Sequence, residues 1–238
     1  DQIRWLDASG RERVRVDLRN DEPVNVPAEA LQDKSDRPYF RDTMMRRSGE
    51  LYLSPLDLNV EQGAIEIPHK PMLRLAAPLF DRNGTRRGVL VLNFLAGPVL
   101  AQLARPTESG TVATLVNNEG YWLVATDPEQ TFGFQLGRPE RTLAQQAPTV
   151  WQAMLTHDFG SRREAGGLWS WDTFRPGLRL RGEPQHPEQW KIITFVPPDR
   201  LAVLERTVRW EVGGAMLLMF ALALFVSLRL AQAARARE

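Results

Sequence analysis

One segment limits this chain more than any other. From Val212 to Leu228 it reads VGGAMLLMFALALFVSL, seventeen residues without a charge. A membrane-crossing helix usually needs about 20 apolar residues, and a core helix rarely needs so many. Leu230 and Ala231 lengthen the run, because Arg229 can snorkel its charge to the headgroups along an aliphatic stem. The run therefore predicts a transmembrane helix over 212–230. A buried core helix is the alternative.

The flanks predict orientation. Arg229, Arg235 and Arg237 follow the run with only Glu238 against them, whereas Arg206 and Arg209 before it alternate with Glu205 and Glu211. An arginine excess marks the cytoplasmic side, so residues 1–211 are expected outside the cytoplasm, with the span in the inner membrane. Those residues carry a net charge of −1. A near-neutral region offers no electrostatic footprint for nucleic acid. The chain has no cysteine, which excludes disulfides, thiolate nucleophiles and cysteine-based zinc sites. It begins at Asp1 with no charged-then-apolar leader and stops soon after the span, so a piece of a longer receptor is expected.

Upstream, alternation and turn residues predict hairpins. Ile3–Leu6 and Arg13–Val16 flank the turn Asp7-Ala8-Ser9-Gly10. Thr114–Asn117 and Tyr121–Val124 flank Asn118-Glu119-Gly120. A longer hairpin joins Leu73–Phe80 to Gly88–Phe94 through Asp81-Arg82-Asn83-Gly84, and its expected counterpart joins Leu178–Arg181 to Trp190–Val196. Asn83-Gly84-Thr85 also matches a glycosylation acceptor, but the turn reading has the stronger physical warrant.

Helices are expected over Pro38–Arg47, over Pro148–His157 after an N-terminal proline, and from Pro198–Arg209 into the span. Leu51–Leu58 returns to alternation with a bend at Pro55, and Leu168–Trp171 is a further strand. Leu95–Leu103 is a short apolar linker. The expected fold class is α+β: two tandem modules with antiparallel sheets, followed by one transmembrane helix. The expected divisions are 1–104, 105–198, a juxtamembrane helix over 199–211, the span over 212–230, and a cytoplasmic start at 231–238.

This order resembles the extracytoplasmic sensor region of double Cache proteins, two PAS-like modules in tandem. The resemblance is carried by Arg37-Pro38-Tyr39-Phe40, Tyr52-Leu53-Ser54, Leu73–Pro78 and Gly88–Asn93. In the second module it rests on Asn118–Leu123, Gly133-Phe134 and Gly167–Trp169. It implies a ligand sensor in a membrane receptor of the histidine kinase or diguanylate cyclase type, working as a homodimer, with no cofactor. In relatives that bind amino acids, an Arg-x-aromatic-aromatic motif and a later Tyr hold the carboxylate, and an Asp in the last strand holds the amine. By that mapping Arg37, Tyr39, Phe40 and Tyr52 match. Asn93 stands where the Asp would be and Ser54 where a second carboxylate would help, which speaks against an amino acid and for an anion.

Arg74 interrupts the apolar run Met72–Pro78. Alternation puts it on the face of Met72 and Ala76, either turned to solvent or touching a ligand. Tyr39 and Tyr52 are core aromatics or ligand contacts. Tyr121, Trp122, Trp151, Trp169, Trp171 and Trp190 are expected in a core or between modules, and Trp210 at a lipid interface. His69, His157 and His186 are too far apart for a metal, and no nucleophile, phosphate loop or acid–base cluster marks an enzyme. Two rivals to the small-molecule sensor remain: a module that docks a soluble binding protein, and a membrane-anchored enzyme.

Overall fold

The computed structural model describes residues 1–61, 63–108, 110–164, 167–176 and 188–235, with residues 204 and 223–235 described by backbone. Its first half is built on a sheet of seven strands: β1 (Gln2–Asp7), β2 (Glu12–Arg19), β3 (Glu22–Asn25), β4 (Tyr52–Leu53), β5 (Asp57–Leu58), β8 (Pro71–Phe80) and β9 (Arg86–Leu95). Their spatial order is β3-β2-β1-β9-β8-β4, with β5 also on β8 and every pairing antiparallel. β6 (Val60–Glu61) and β7 (Ala64–Ile65) form a small separate hairpin. Helix α1 (Pro38–Met44) lies on the sheet, and Leu6, Tyr39, Phe40, Tyr52, Ala76, Val89 and Val91 form the core beneath it.

After α2 (Gly97–Leu103), the second half holds β10 (Ala113–Val116), β11 (Trp122–Val124), α3 (Leu143–Gln146), α4 (Pro148–Thr156), β12 (Gly160–Glu164), β13 (Gly167–Phe174) and β14 (Trp190–Val196). Five strands in the order β11-β10-β14-β13-β12 carry α3 and α4, which cover Val116, Trp122, Trp151, Trp169, Trp171 and Ile193. Those four tryptophans are core residues. Trp190 packs instead against a third cluster, where Leu56, Leu58 and Ala96 meet Leu115, Leu123 and Phe132.

One turn chemistry recurs. Asp7, Asp81 and Asn117 each turn a side-chain oxygen back to accept two backbone N–H groups, at 2.9 and 3.2 Å, 2.9 and 2.9 Å, and 3.1 and 2.9 Å. The third residue beyond each is Gly10, Gly84 or Gly120, at φ 90°, 78° and 84°, where a side chain would be strained. These turns set the register of β1–β2, β8–β9 and β10–β11.

Several expectations change. Leu178–Arg181 lies outside the described residues, and the strand paired with β14 is β13, over seven residue pairs. The run Leu51–Leu58 breaks at Ser54-Pro55-Leu56 into β4 and β5. Helix α1 ends at Met44 and α4 at Thr156, while the Pro198 helix continues as α5 (Pro198–Arg235), 38 residues in one piece. Trp210 on α5 is exposed. Among the described residues no helix is long and apolar enough to cross a membrane.

Candidate functional site

Pro38 is the first residue of α1, and the residue before a proline is held extended. Arg37 therefore stays outside the helix, at φ −77° and ψ 133°, beside the mouth of a cavity of about 270 Å³. Tyr39 and Asp42 follow three residues apart on one helical face and line the same cavity. The opposite wall is the broken strand, with Tyr52, Ser54 and Asp57. The floor is Arg74 of β8.

Arg74 is buried, so the solvent-facing reading does not hold. The alternation is as read, with Met72 and Ala76 buried on the same side. Ser54 sits opposite: its N–H donates to the Arg74 carbonyl at 2.8 Å, and its hydroxyl oxygen accepts from the Arg74 N–H at 2.9 Å. The Arg74 guanidinium donates to Asp57 at 2.5 Å and to Asn59 Oδ1 at 3.4 Å, and lies 5.7 Å from the Tyr39 ring centroid. Breaking such a pair strands a charge in a poor solvent, which is why Asp57 and Arg74 behave as one unit.

The cavity also holds cations that the sequence did not reveal as site residues. Arg4, 3% exposed, meets Glu12 at 3.4 Å and Glu61 at 3.0 Å. Lys34 meets Glu61 at 3.6 Å and donates to Gln32 Oε1 at 2.6 Å. Burial depresses the Lys34 ammonium, against the pull of Glu61. Burial also disfavours the Glu61 charge, but Lys34, Arg4 and Arg15 outweigh it and hold that carboxyl low. Arg4 escapes a reading by hydrophobic alternation because β1 is inverted: Ile3 and Trp5 face out, and Arg4 faces in with Leu6.

Three of the four cations at the cavity are thus neutralised, and Arg37 is not. Its guanidinium donates to the Val60 carbonyl at 3.1 Å and has no carboxylate partner among the described residues. Asp42 has no ion pair among them either, and the Tyr39 hydroxyl has no hydrogen-bond partner there. Burial raises both tyrosines, Tyr52 to about 12 with Asp42 and Asp57 adding to the effect, so both stay neutral donors near pH 7.

Of the seven residues expected at a ligand, Arg37, Tyr39, Tyr52, Ser54 and Arg74 share this cavity. Phe40 instead packs in the core with Leu6 and Val89. Asn93 pairs with Arg74 in the β8–β9 register but lies off the cavity wall. It is buried, donates from Nδ2 to Gln2 Oε1 at 3.0 Å, and leaves Oδ1 without a partner among the described residues. The negative groups at the cavity are Asp42 and Asp57, from other elements. Among the described residues no group of His, Asp and Glu could hold a metal; His69 and His157 are exposed, and His186 lies outside that set.

The fold and the first 176 residues have relatives. Residues 1–176 match the family model of the bacterial histidine kinase sensor domain. Among solved structures, the extracellular domain vpHK1S-Z8, assigned to a histidine kinase, superposes with a TM-score of 0.71 at 22% identity, covering 86% of this chain and 70% of that one. A domain of a sensory box/GGDEF family protein from Vibrio parahaemolyticus gives 0.71 at 23% identity, covering 84% and 73%. The periplasmic sensory domain of the Campylobacter jejuni chemoreceptor Tlp1 gives 0.56 at 12% identity, covering 84% and 72%. No curated protein matches the chain. Histidine kinase, GGDEF and chemoreceptor sensors thus share its fold, and by its own match this chain belongs to the bacterial histidine kinase sensor domain family.

Proposed function

We propose that this chain is the extracytoplasmic sensor region of a transmembrane receptor, and that its ligand is a small carboxylate held by Arg37 in the α1–β8 cavity. The observation that carries this reading is the state of the cavity's charges. Arg4, Lys34 and Arg74 already have anionic partners, whereas Arg37 among the described residues has only a carbonyl. A guanidinium fork matches a carboxylate in shape and charge, and Tyr39 supplies a hydroxyl donor beside it. The volume, about 270 Å³, equals roughly nine waters and suits a small organic acid. Asp42 adds a second preference, for a ligand that also carries a cationic group. Asn93 gives no argument against such a ligand, since it is not in the wall.

The cavity is open and lined by charged and hydroxyl-bearing side chains around two tyrosine rings that do not fill it, which favours a small molecule over a docked binding protein. An enzyme would need a paired acid and base or a metal, and Arg4, Lys34, Asp57, Glu61 and Arg74 are tied up in ion pairs with one another or with Glu12.

The signalling route in this reading runs through β5. Asp57 faces the cavity, and the next residue, Leu58, is clamped by Gln135 of the second half. The Leu58 N–H donates to Gln135 Oε1 at 2.6 Å, and Gln135 Nε2 donates to the Leu58 carbonyl at 3.3 Å. A ligand preferring one setting of this contact would shift the populations of the two halves. Helix α5 would carry that shift into a span over 212–230, where Met216–Phe220 already expose an apolar surface. The units are then the modules 1–104 and 105–198, the juxtamembrane helix 199–211, the span, and a cytoplasmic start at 231–238. Paired receptors would meet along α5, where Gly213-Gly214-Ala215 permits close approach, and pass the change to a kinase or cyclase output.

A thermal-shift panel of carboxylates, amines and polyamines tests the ligand class. A carboxylate should raise the melting temperature of the wild-type chain by several degrees, and the shift should vanish in Arg37→Ala/Tyr52→Ala. An equal shift in that variant would remove the site.

A further inference from the structure

A lysine stands where the second sheet should be apolar. Lys191 lies on β14, the central strand of the five, and is 8% exposed. It shares a face with Ile193, two residues on, and that face packs under α4. Its register partners are Val116 on β10 and Thr173 on β13. A charge there is costly to bury, and such lysines usually have a carboxylate to hold them.

Lys191 has none. Among the described residues no carboxylate lies within ion-pair distance of it, and one of its three N–H groups is used, donating to Thr173 Oγ1 at 2.5 Å. The Thr173 hydroxyl in turn donates to the Asp158 carbonyl at 2.5 Å. Asp158 is the acidic group that acts most on the Lys191 charge, but its carboxylate is paired with Arg175 at 2.5 Å, which holds it low. Two ammonium donors are left over.

They are left over beside empty space. Lys191 lines a cavity of about 420 Å³ between the end of α4, the 117–118 turn and β14, large enough for about fourteen waters. Trp151, Met154 and Leu155 are its apolar lining, and Asn117, Asn118, Thr156, His157, Asp158 and Gln189 its polar lining, the Asp158 carboxylate being paired with Arg175. Asn117 directs its oxygen into its own turn, accepting from Glu119 and Tyr121, so its amide donor is what remains for a ligand. An ammonium and an amide donor in one cavity with an indole and two aliphatic side chains, the only carboxylate of its lining among the described residues being held by Arg175, describe the complement of a carboxylate with an apolar tail.

We propose that this cavity is a second ligand site, separate from the one at Arg37, and that it takes a small monocarboxylate whose carboxylate meets Lys191 and whose apolar part lies on Trp151, Met154 and Leu155. The site belongs to the half of the chain that leads directly into α5. A ligand there would act on the output helix without passing through the Leu58–Gln135 contact.

Butyrate is the probe, titrated into the full chain in detergent and followed by ligand-detected NMR. Arg37→Ala is present in every sample, so a carboxylate held in the first cavity does not count. Saturable butyrate binding is expected in that background. Adding Lys191→Met should weaken it by about tenfold or more, the worth of a charge-assisted hydrogen bond. Methionine has nearly the same shape and needs no counter-ion, so the variant should melt no lower than its parent. Leu155→Trp, at the exposed end of the apolar wall, should weaken butyrate while leaving the ammonium intact. Equal binding with and without Lys191, or no saturable binding at all, would overturn the proposal. Lys191-dependent binding of inorganic phosphate in place of butyrate would overturn the ligand class.

Discussion

At the level of single residues, what separates the site from the core is whether a polar group has its partner. Tyr39 and Phe40 are neighbours in one motif and both are buried in the core cluster with Leu6 and Val89, yet of the two only Tyr39 also lines the cavity. Sequence order shows the motif but not which ring also reaches the cavity, because α1 rotates successive residues by about 100°. Arg74 was legible as a candidate because it interrupts the apolar run Met72–Pro78, and Arg37 and Tyr52 through the motifs of the resemblance. Arg4, Lys34 and Asp57 were not: Arg4 and Asp57 read as the polar phase of alternating runs and Lys34 sits in a polar stretch, while the pairings of β1 with β9 and β5 with β8 that bring Arg4 and Asp57 to the cavity are long-range. Tyr52 offers a test by titration. Its folded pKa of about 12 lies above the ordinary value of 10.0, so its contribution to stability is intact below pH 10 and is lost as pH rises through about 12. Ultraviolet titration should show two tyrosines, Tyr39 and Tyr52, ionising above pH 10, and only one of them in Tyr52→Phe, whose stability should fall less steeply with alkali. A wild-type chain in which every tyrosine ionises near pH 10 would show that Tyr52 is not enclosed by this wall.

At the level of elements, the hairpins were legible because their turns carry their own chemistry. An Asp or Asn that accepts two N–H groups, followed three residues later by glycine, needs nothing from the rest of the molecule. The partner of β14 was not legible, since pairing at long range follows from tertiary packing and not from a turn. The inward side of β1 was missed for a related reason. Alternation gives the phase of a strand, and hydrophobicity normally says which phase is buried. In β1 and β9 the apolar residues Ile3, Trp5, Leu90, Leu92 and Phe94 face outward, while the inward phase holds Arg4 and Asn93. The closeness of those two strands has a direct test. Gly88 sits at φ 137°, and a β-carbon there would lie 1.9 Å from the Leu6 carbonyl oxygen. Gly88→Ala should cost about 2–4 kcal/mol in urea unfolding. A cost below about 0.5 kcal/mol, the range of an ordinary surface change, would contradict the β1–β9 register.

At the scale of the whole molecule, the two sheets meet through the Leu56–Phe132 cluster and the Leu58–Gln135 contact, and α5 leaves from the second. The apolar run that dominates the sequence lies at the far end of that helix, remote from the cavity. In the proposed reading a signal from Arg37 would cross between the sheets before it reached α5, and β5 touches both. Hydrogen exchange read by mass spectrometry measures this most directly, on the full chain with and without the carboxylate that gives the largest thermal shift. Binding at Arg37 should slow exchange around residues 57–61 and also around 132–136, with the second effect lost in Gln135→Ala and both lost in Arg37→Ala. Protection that arises elsewhere, or that survives Arg37→Ala unchanged, would contradict the assignment of this cavity as the sensor's ligand site.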